Sequence, residues 1–290
     1  MIKGSIVAIV TPFKNGKVDE RALGDLVEWQ ISKGTNGIVP CGTTGEASTL
    51  DYDEHYRVIE IAVKTANKRI PVIAGTGSNS TDETVMITAK AKECGADAAL
   101  IVAPYYNKPT QEGLYRHYKM VAEAVDIPIV VYNVPGRTSV NILPATVARL
   151  AEIKNIVAIK EATGDMRQVS DIIRLCGDRI AVLSGDDFTT LPLLALGGKG
   201  VISVSANVAP REVSDMCACW SRGLIDEASA LHCRLEVLNE AMFIETNPIP
   251  VKTALAMMGR IHEEFRMPLC EMSPKNREKL ERTLLDHKFI

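Results

Sequence analysis

The stretch Ile156-Val157-Ala158-Ile159-Lys160, followed by Glu161-Ala162-Thr163-Gly164-Asp165, decides how the rest of the chain is interpreted. Its four apolar residues, three of them β-branched, predict a short strand that is buried on both faces. The run ends on Lys160, and Thr163-Gly164-Asp165 then turns the chain into a helical pattern. We therefore expect Lys160 at the carboxyl end of a buried strand, the edge where functional groups of α/β proteins concentrate.

A lysine in this place is a candidate nucleophile. Burial disfavours the charged ammonium and so favours the free amine, which can attack a carbonyl group. The alternative is a structural role, in which Lys160 extends into solvent or forms an ion pair with Glu161. The stretch alone does not choose between the two roles.

The composition of the whole chain excludes several classes of protein. The 290 residues carry a formal net charge of −3, with Lys and Arg scattered, unlike a nucleic-acid-binding or anionic-membrane surface. No apolar run approaches the ~18 residues of a membrane span, and the N-terminus lacks the features of a signal peptide. The seven cysteines form no disulfide framework, as is usual in a reducing compartment. We expect a cytoplasmic protein that binds neither nucleic acid nor membrane.

Short apolar runs recur roughly every 25–35 residues, and helical patterns lie between them. The eight runs are Ser5–Val10, Gly37–Pro40, Pro71–Ala74, Ala98–Val102, Pro128–Tyr132, Ile156–Lys160, Ile180–Ser184 and Gly200–Val204. Eight strand–helix units with tight connections predict an α/β fold, a closed (β/α)8 TIM barrel. An open doubly wound sheet would carry a G-x-G-x-x-G turn after its first strand, and Thr11–Gly16 does not have one.

Capping residues predict where helices begin. The predicted caps and helices are Asp19 before Glu20–Lys33, Asp51 before Tyr52–Ala66, Thr81 before Asp82–Cys94, Thr110 before Gln111–Ala124 and Asp165 before Met166–Cys176. After Pro210 only helical patterns follow: Arg211–Arg222, Leu224–Met242, Pro250–Met258 and Pro274–His287. We therefore predict a catalytic barrel of residues 1–209 and a C-terminal helical extension of residues 210–290 packed on it.

The residues just after each strand of such a barrel converge on one mouth. Thr43 and Thr44 follow the second run, Tyr132 ends the fifth, and Arg137 lies on the next turn. A phenol can act as general acid or base, and an arginine can bind a carboxylate through two hydrogen bonds. Each residue also has an ordinary structural explanation. Together with Lys160, however, they are typical of a lysine Schiff-base enzyme that acts on small keto acids.

Other residues near the predicted mouth have plainer interpretations. Asp186 and Asp187 are more typical of a helix N-cap than of a catalytic carboxylate pair. Gly75-Thr76-Gly77 indicates a turn that needs small residues rather than a phosphate loop. Cys41 has no evident base or cationic partner, so we expect a buried thiol whose purpose the sequence leaves open.

Four motifs in the same regions also resemble a known family. They are Gly42-Thr43-Thr44-Gly45-Glu46, Tyr105-Tyr106-Asn107-Lys108-Pro109, Tyr132-Asn133-Val134-Pro135-Gly136-Arg137-Thr138 and Ile159-Lys160-Glu161-Ala162-Thr163-Gly164. In order and spacing they resemble the pyruvate-dependent class I aldolase superfamily, and specifically its dihydrodipicolinate synthase family. The similarity extends from about Gly4 into the C-terminal helices and includes Asn247-Pro248-Ile249-Pro250-Val251-Lys252.

The resemblance implies an activity and a set of residue roles. The implied reaction condenses pyruvate with L-aspartate 4-semialdehyde, on the diaminopimelate route to lysine, without a metal or other cofactor. The implied catalytic residues are Lys160 as the Schiff base, Tyr132 as proton donor and acceptor, and Thr43 and Tyr106 as its relay, with Tyr106 reaching the neighbouring subunit's site. The implied substrate-binding positions are Thr44 and the backbone at Ile202 for pyruvate, and Arg137 for the aldehyde's carboxylate.

The resemblance also implies an assembly and a regulator. Members of the family are usually homotetramers built from tight dimers, and L-lysine often inhibits them at a cleft in the dimer interface. The matching cleft positions are Ser48, His55, Asn79, Glu83 and Tyr105. Tyr52 replaces a histidine, and Ala47 a serine, of many lysine-sensitive members. The resemblance nevertheless implies inhibition by L-lysine at this cleft.

Two alternatives to a synthase remain from the sequence. The first is an N-acetylneuraminate lyase or sugar-acid aldolase of the same superfamily, which needs a long polyol pocket and typically lacks the arginine at the position of Arg137. The second is a barrel that binds a keto acid as a sensor and forms no covalent adduct. Arg137, Tyr106 and Thr44 favour the synthase over the first alternative.

Overall fold

Eight parallel strands close into a barrel in the structure, a computed structural model that describes residues 2–290. We number them β1–β8: Gly4–Ala8, Gly37–Val39, Ile73–Gly75, Ala98–Val102, Ile129–Asn133, Ile156–Glu161, Ala181–Ser184 and Gly200–Ser203. Their order is β2-β1-β8-β7-β6-β5-β4-β3, and a parallel bridge between Ile38 and Val72 joins the two ends of the sheet. The predicted TIM barrel is confirmed, and each of the eight apolar runs forms one of its strands.

The described residues form twelve α-helices. They are α1–α12: Glu20–Ser32, Tyr52–Ala66, Thr81–Glu93, Gln111–Ala124, Pro135–Thr138, Pro144–Leu150, Met166–Cys176, Thr190–Ala195, Pro210–Ser221, Ile225–Met242, Ile249–Met257 and Pro274–Asp286. None of them within residues 2–290 has the length and apolar character to cross a membrane.

Four of the five predicted N-caps are confirmed. The side chains of Asp19, Asp51, Thr110 and Asp165 each accept a backbone N–H of the first turn. The prediction for α3 was wrong by one residue, because Ser80 is the cap and Thr81 is the first helical residue. Two adjacent hydroxyl residues are equally good caps by composition. The Thr81 hydroxyl instead contacts Nδ1 of His117 at 3.0 Å, which the sequence could not show.

A small hairpin between β1 and α1 was not predicted. Phe13–Lys14 pairs antiparallel with Lys17–Val18, and Asn15 and Gly16 form the turn with φ of 55° and 78°. Asn-Gly is the preferred dipeptide for this turn because both residues tolerate positive φ. The short helices α5, α6 and α8 were also not predicted, since they have too few turns to show a clear helical period.

The strands of the barrel have one apolar layer on their inner face and a second on their outer face. Side chains such as Ile6, Leu100 and Ile202 fill the inside of the barrel, while Val7 and Ile101 on the opposite strand faces pack beneath the helices. Burial on both faces explains why the strands are continuous apolar runs rather than alternating patterns. Polar groups are therefore confined to the strand ends, and those at the carboxyl ends share one mouth.

The C-terminal helices are docked on the barrel. Helix α9 packs against β1, and its Ser214 donates a hydrogen bond to the carbonyl of Gly34 at 2.7 Å. Helix α9 follows β8 directly, as the eighth helix of a (β/α)8 barrel does. The boundary between the barrel and the C-terminal extension after residue 209 therefore stays a prediction. Every residue from Ile249 to Leu255 of α11 is buried, which places this helix inside the molecule rather than on its surface.

Candidate active site

Lys160 lies beside Tyr132 at the carboxyl ends of β6 and β5. The two residues are register partners, and the Lys160 Nζ atom is 4.3 Å from the centroid of the Tyr132 ring. Lys160 is 5% exposed and belongs to no ion pair within the described residues 2–290. The structural alternative for Lys160, a side chain in solvent or paired with Glu161, is therefore excluded.

Glu161 points to the opposite face of β6. Its carboxylate accepts hydrogen bonds from the Asn133 amide at 3.0 Å, the Gln168 amide at 3.3 Å and the Thr163 backbone N–H at 2.8 Å. Burial raises the pKa of Glu161 above its ordinary value. Because Asn133 follows Tyr132 and Glu161 follows Lys160, this contact holds the register that places the phenol beside the amine.

The mouth of the barrel contains a cavity of about 560 Å³. Three of the predicted catalytic and substrate-binding residues line it: Thr43, Tyr132 and Arg137. Lys160 itself does not line the cavity, but it contacts Tyr132, which does line it. Ile202 packs inside the barrel on β8. The volume lies in the range of small-molecule sites, which suits keto acids better than polymers.

Asn247 joins two of the predicted substrate-binding residues. Its side-chain amide donates to the Thr44 hydroxyl at 3.0 Å, and its backbone carbonyl accepts from the Arg137 guanidinium at 3.2 Å. No role in the site was predicted for Asn247. Its only signal was the motif Asn247-Pro248-Ile249-Pro250-Val251-Lys252, since 203 residues separate it from Thr44.

Asp186 has the capping role that the sequence favoured, whereas Asp187 has a structural role that was not predicted. Asp186 caps the turn after β7 by accepting the Phe188 N–H at 3.2 Å. Asp187 accepts the backbone N–H groups of Val204 at 2.9 Å and Ser205 at 3.1 Å. Burial raises the pKa of Asp187. This carboxylate therefore fixes the loop that follows Ile202 instead of forming a catalytic pair.

Comparisons with known proteins agree over the whole chain. A family model described as the dihydrodipicolinate synthetase family matches residues 1–287. The chain belongs to this family. A 4-hydroxy-tetrahydrodipicolinate synthase of Thermodesulfovibrio yellowstonii is 72% identical over 284 residues, which are 98% of each chain.

Solved structures of the family have the same fold. The dihydrodipicolinate synthase of Aquifex aeolicus is 55% identical, covers 99% of both chains and superimposes with a TM-score of 0.98. That of Acinetobacter baumannii, crystallised with pyruvate, is 52% identical, covers 100% of both chains and has a TM-score of 0.98. The chain is thus an enzyme with 4-hydroxy-tetrahydrodipicolinate synthase activity, a Schiff-base lyase of lysine and diaminopimelate biosynthesis. The prediction of a synthase, rather than a sugar-acid lyase or a sensor, is confirmed.

In this family member the same cavity extends to a second group of predicted residues. Ser48, His55, Glu83 and Tyr105 line it together with the site residues, and the Asn79 carbonyl accepts a hydrogen bond from Asn107 at 2.8 Å. Burial lowers the pKa of His55, whose Nε2 lies 2.8 Å from the Gly75 carbonyl.

The carboxylate of Glu83 accepts hydrogen bonds from two hydroxyl groups of its own chain. Tyr52 and Ser78 both donate hydrogen bonds to its carboxylate, and these bonds lower the pKa of Glu83. The same contact raises the pKa of Tyr52. A cation that used Glu83 would compete with these two hydroxyls.

Tyr106 does not line the cavity of its own chain. Its side chain is 90% exposed, and its φ of 73° is unusual for a residue with a side chain.

Cys41 is the buried thiol that the sequence predicted. Its Sγ lies 3.5 Å from the His55 carbonyl, and burial raises its pKa, so it is unreactive. A methyl group on Gly75 would lie 2.0 Å from the Cys41 carbonyl, which confirms the small-residue turn.

Proposed function

We propose that Lys160 carries the reaction as a Schiff base with pyruvate, which then condenses with L-aspartate 4-semialdehyde. The observation that carries this proposal is a buried amine that forms no ion pair and lies adjacent to the ring of Tyr132. In its uncharged form such an amine can attack a carbonyl group.

The chemistry follows from the imine. The amine attacks the keto carbon of pyruvate, and water leaves as the C=N bond forms. The imine accepts the electron pair of a C–H bond when the methyl group loses a proton, which gives an enamine. The enamine carbon attacks the aldehyde carbon, and the aldehyde oxygen takes up a proton. The amino group of the second substrate then attacks the imine carbon, closes the ring and releases Lys160.

Tyr132 is proposed as the group that moves these protons. Its ring contacts the Lys160 nitrogen, and Tyr132 and Thr43 line the same cavity. We propose that Thr43 and Tyr106 complete the relay, Tyr106 from the neighbouring subunit. The outward position of Tyr106 supports an action outside its own chain.

The two substrates are proposed to bind at different residues. Thr44 and the backbone at Ile202 hold the pyruvate end, while Arg137 binds the carboxylate of the aldehyde. The hydrogen bond from Arg137 to the Asn247 carbonyl supports this role, because it orients the guanidinium at the cavity wall.

Reduction of the imine tests the proposal directly. Treatment with pyruvate and borohydride should add a stable mass to the peptide that contains Lys160, whereas Lys160→Ala should stay unmodified. Lys252 is a second buried lysine and serves as the internal control, since Glu46 holds its ammonium. An adduct on Lys252, or none at all, would contradict the proposal.

We also propose a homotetramer, a dimer of tight dimers, in which Tyr106 acts across subunits. Sedimentation should show four chains. The variants Lys160→Ala and Tyr106→Phe should each have little activity, and mixed dimers should regain it because one site then has both residues. A mixture as inactive as its components would place Tyr106 in its own site or outside the relay.

Inhibition by L-lysine is proposed at the cleft of Ser48, His55, Asn79, Glu83 and Tyr105. The ammonium would displace the Tyr52 hydroxyl from Glu83, so Tyr52→Phe should make inhibition stronger. A steady-state titration checks both points. Absence of inhibition by roughly millimolar lysine in both proteins would remove the proposal.

We propose a cytoplasmic location. All seven cysteines are free, as is usual for proteins of a reducing compartment. Cell fractionation followed by immunodetection would test it, and recovery in an extracellular or membrane fraction would contradict it.

A further inference from the structure

Behind the di-threonine turn lies a buried ion pair between distant parts of the chain. The Lys252 ammonium on α11 forms a hydrogen-bonded ion pair with the carboxylate of Glu46. Lys252 is fully buried and Glu46 is 3% exposed. The Lys252 nitrogen lies 4.2 Å from the ring centroid of Phe13 and 5.4 Å from that of Phe265. Burial among these rings lowers the pKa of Lys252.

Glu46 holds a backbone conformation that a side chain disfavours. Its φ of 52° is in the left-handed region, where residues other than glycine are strained. Its N–H donates to the Thr43 carbonyl at 3.1 Å, so the strained residue closes the turn that carries both threonines. Its second carboxylate oxygen accepts the backbone N–H of Arg266 at 3.2 Å. The side chain is thus fixed from two sides by the C-terminal extension.

The turn has two further anchors. The Thr11 hydroxyl donates to the Gly45 carbonyl at 2.7 Å, and the Asn247 amide donates to the Thr44 hydroxyl at 3.0 Å. Of the two threonines, Thr43 lines the cavity. Three of the contacts that hold this turn in place therefore come from the segment that contains Asn247, Lys252 and Arg266.

We propose that Glu46 and Lys252 are positioning residues for Thr43 and Thr44, and that the C-terminal extension contributes to the reaction through them. The inference rests on the roles proposed above for the two threonines. An apolar pair of similar volume could join the two segments without the desolvation of two charges. An ion pair adds direction, because the carboxylate must point at the ammonium, and this fixes the backbone of Glu46.

A double-substitution experiment separates positioning from stability. Glu46→Gln and Lys252→Met each leave one buried charge without its partner, so both should lower the melting temperature. The double variant has no buried charge at these positions and should regain most of that loss. Its turn keeps the anchors from Thr11 and Asn247 but loses the one to α11, because the methionine side chain has no N–H to donate to the glutamine. We expect about tenfold higher KM for pyruvate and about tenfold slower formation of the borohydride-trapped Lys160 adduct.

Control variants complete the design. The exposed pair of Glu20 and Arg57 provides the matched double variant, Glu20→Gln with Arg57→Met, which should change neither readout. Glu46→Asp keeps the negative charge near Lys252 but shortens the side chain, so it should lower the melting temperature less than Glu46→Gln does and still raise the KM for pyruvate.

Three results would overturn the inference or what it rests on. A double variant that regains the wild-type KM and adduct rate would make the pair purely structural. If the charge substitutions do not fold, an unchanged KM in Glu46→Asp would contradict the proposal on its own. A wild-type protein that forms no adduct on Lys160 would instead refute the proposed function, so the two failures are distinguishable.

Discussion

At the scale of single residues, Gly185 limits how Lys160 can lie. A methyl group on Gly185 would come within 3.0 Å of the Cγ and Cε atoms of Lys160 and 2.7 Å of the Ala162 Cβ atom. The Gly185 N–H also donates to the Glu161 carbonyl at 2.8 Å, so the backbone cannot move away freely. The absence of a side chain at this position therefore leaves room for the Lys160 side chain.

Gly185→Ala should displace Lys160 away from its contact with Tyr132. We expect formation of the Lys160 adduct with pyruvate to slow by about tenfold or more, because small displacements of reacting groups have large effects on rate. The rate is measured by adding borohydride at successive times after mixing with pyruvate and quantifying the reduced Lys160 adduct. Gly24→Ala is the control, since its new methyl group would meet only the Thr65 hydroxyl at 3.8 Å. Equal adduct rates in the two variants would show that Gly185 does not constrain Lys160.

Arg137 should distinguish the two substrates. Loss of a charge-assisted hydrogen-bonding pair costs about 1.5–3 kcal/mol, so Arg137→Ala should raise the KM for L-aspartate 4-semialdehyde by roughly 10- to 100-fold. The KM for pyruvate should change far less. Steady-state kinetics with each substrate varied in turn checks this. Arg137→Lys keeps the charge but loses the paired N–H donors of the guanidinium, so its KM for the aldehyde should lie between those of the wild type and Arg137→Ala. Similar changes in both KM values would reject the assigned role.

At the scale of elements, helix α7 begins directly after the strand that carries Lys160. Asp165 caps it by accepting the N–H groups of Arg167 at 2.9 Å and Gln168 at 3.2 Å. Gln168 then donates to Glu161, on the outer face of that strand. The cap therefore fixes the first turn of a helix that also supports the register of β5 and β6.

Asp165→Ala should lower the free energy of unfolding by about 1 kcal/mol, since two N–H groups lose their acceptor. Asp165→Asn keeps a side-chain oxygen in the same place and should stay within a few tenths of a kcal/mol of the wild type. Denaturant titrations of the three proteins provide the measurement. A loss of the same size in both variants would mean that charge, and not capping, stabilises the helix.

At the scale of the whole molecule, acid should destabilise the fold through His117. Burial lowers the pKa of His117 from 6.5 to about 4, so the unfolded chain binds a proton in this window that the folded chain does not. The free energy of unfolding should fall as pH drops from 6.5 to about 4, by up to about 3 kcal/mol, and this contribution has no slope above pH 6.5.

Comparison with variants isolates that contribution. His117→Gln should lose less stability than the wild type between pH 6.5 and 4, measured by denaturant unfolding at several pH values. Exposed His262 gives the control His262→Gln, which should follow the wild type. Groups such as Asp187, whose pKa is raised by burial, act alike in all three proteins and cancel in the comparison. Parallel curves for His117→Gln and the wild type would exclude His117 as the cause.

The sequence by itself determined the barrel and the principal residues at its mouth. Strands buried on both faces must be short apolar runs, and eight such runs separated by helical patterns leave few alternatives to a closed barrel. Lys160 and Tyr132 could be identified because each ends one of these runs, and strand ends meet at one edge. Four of the twelve helix starts were predicted from their capping residues, since a cap acts within three residues of itself.

Only the tertiary structure decided what holds that site in place. The contacts of Asn247 with Thr44, of Lys252 with Glu46 and of Gly185 with Lys160 follow no period and no local rule. The first two join residues more than 200 positions apart. Local propensity and hydrophobic pattern describe a residue and its near neighbours along the chain. The contacts between the C-terminal helices and the barrel depend on the packing of the whole molecule. This packing exists only once the chain has folded.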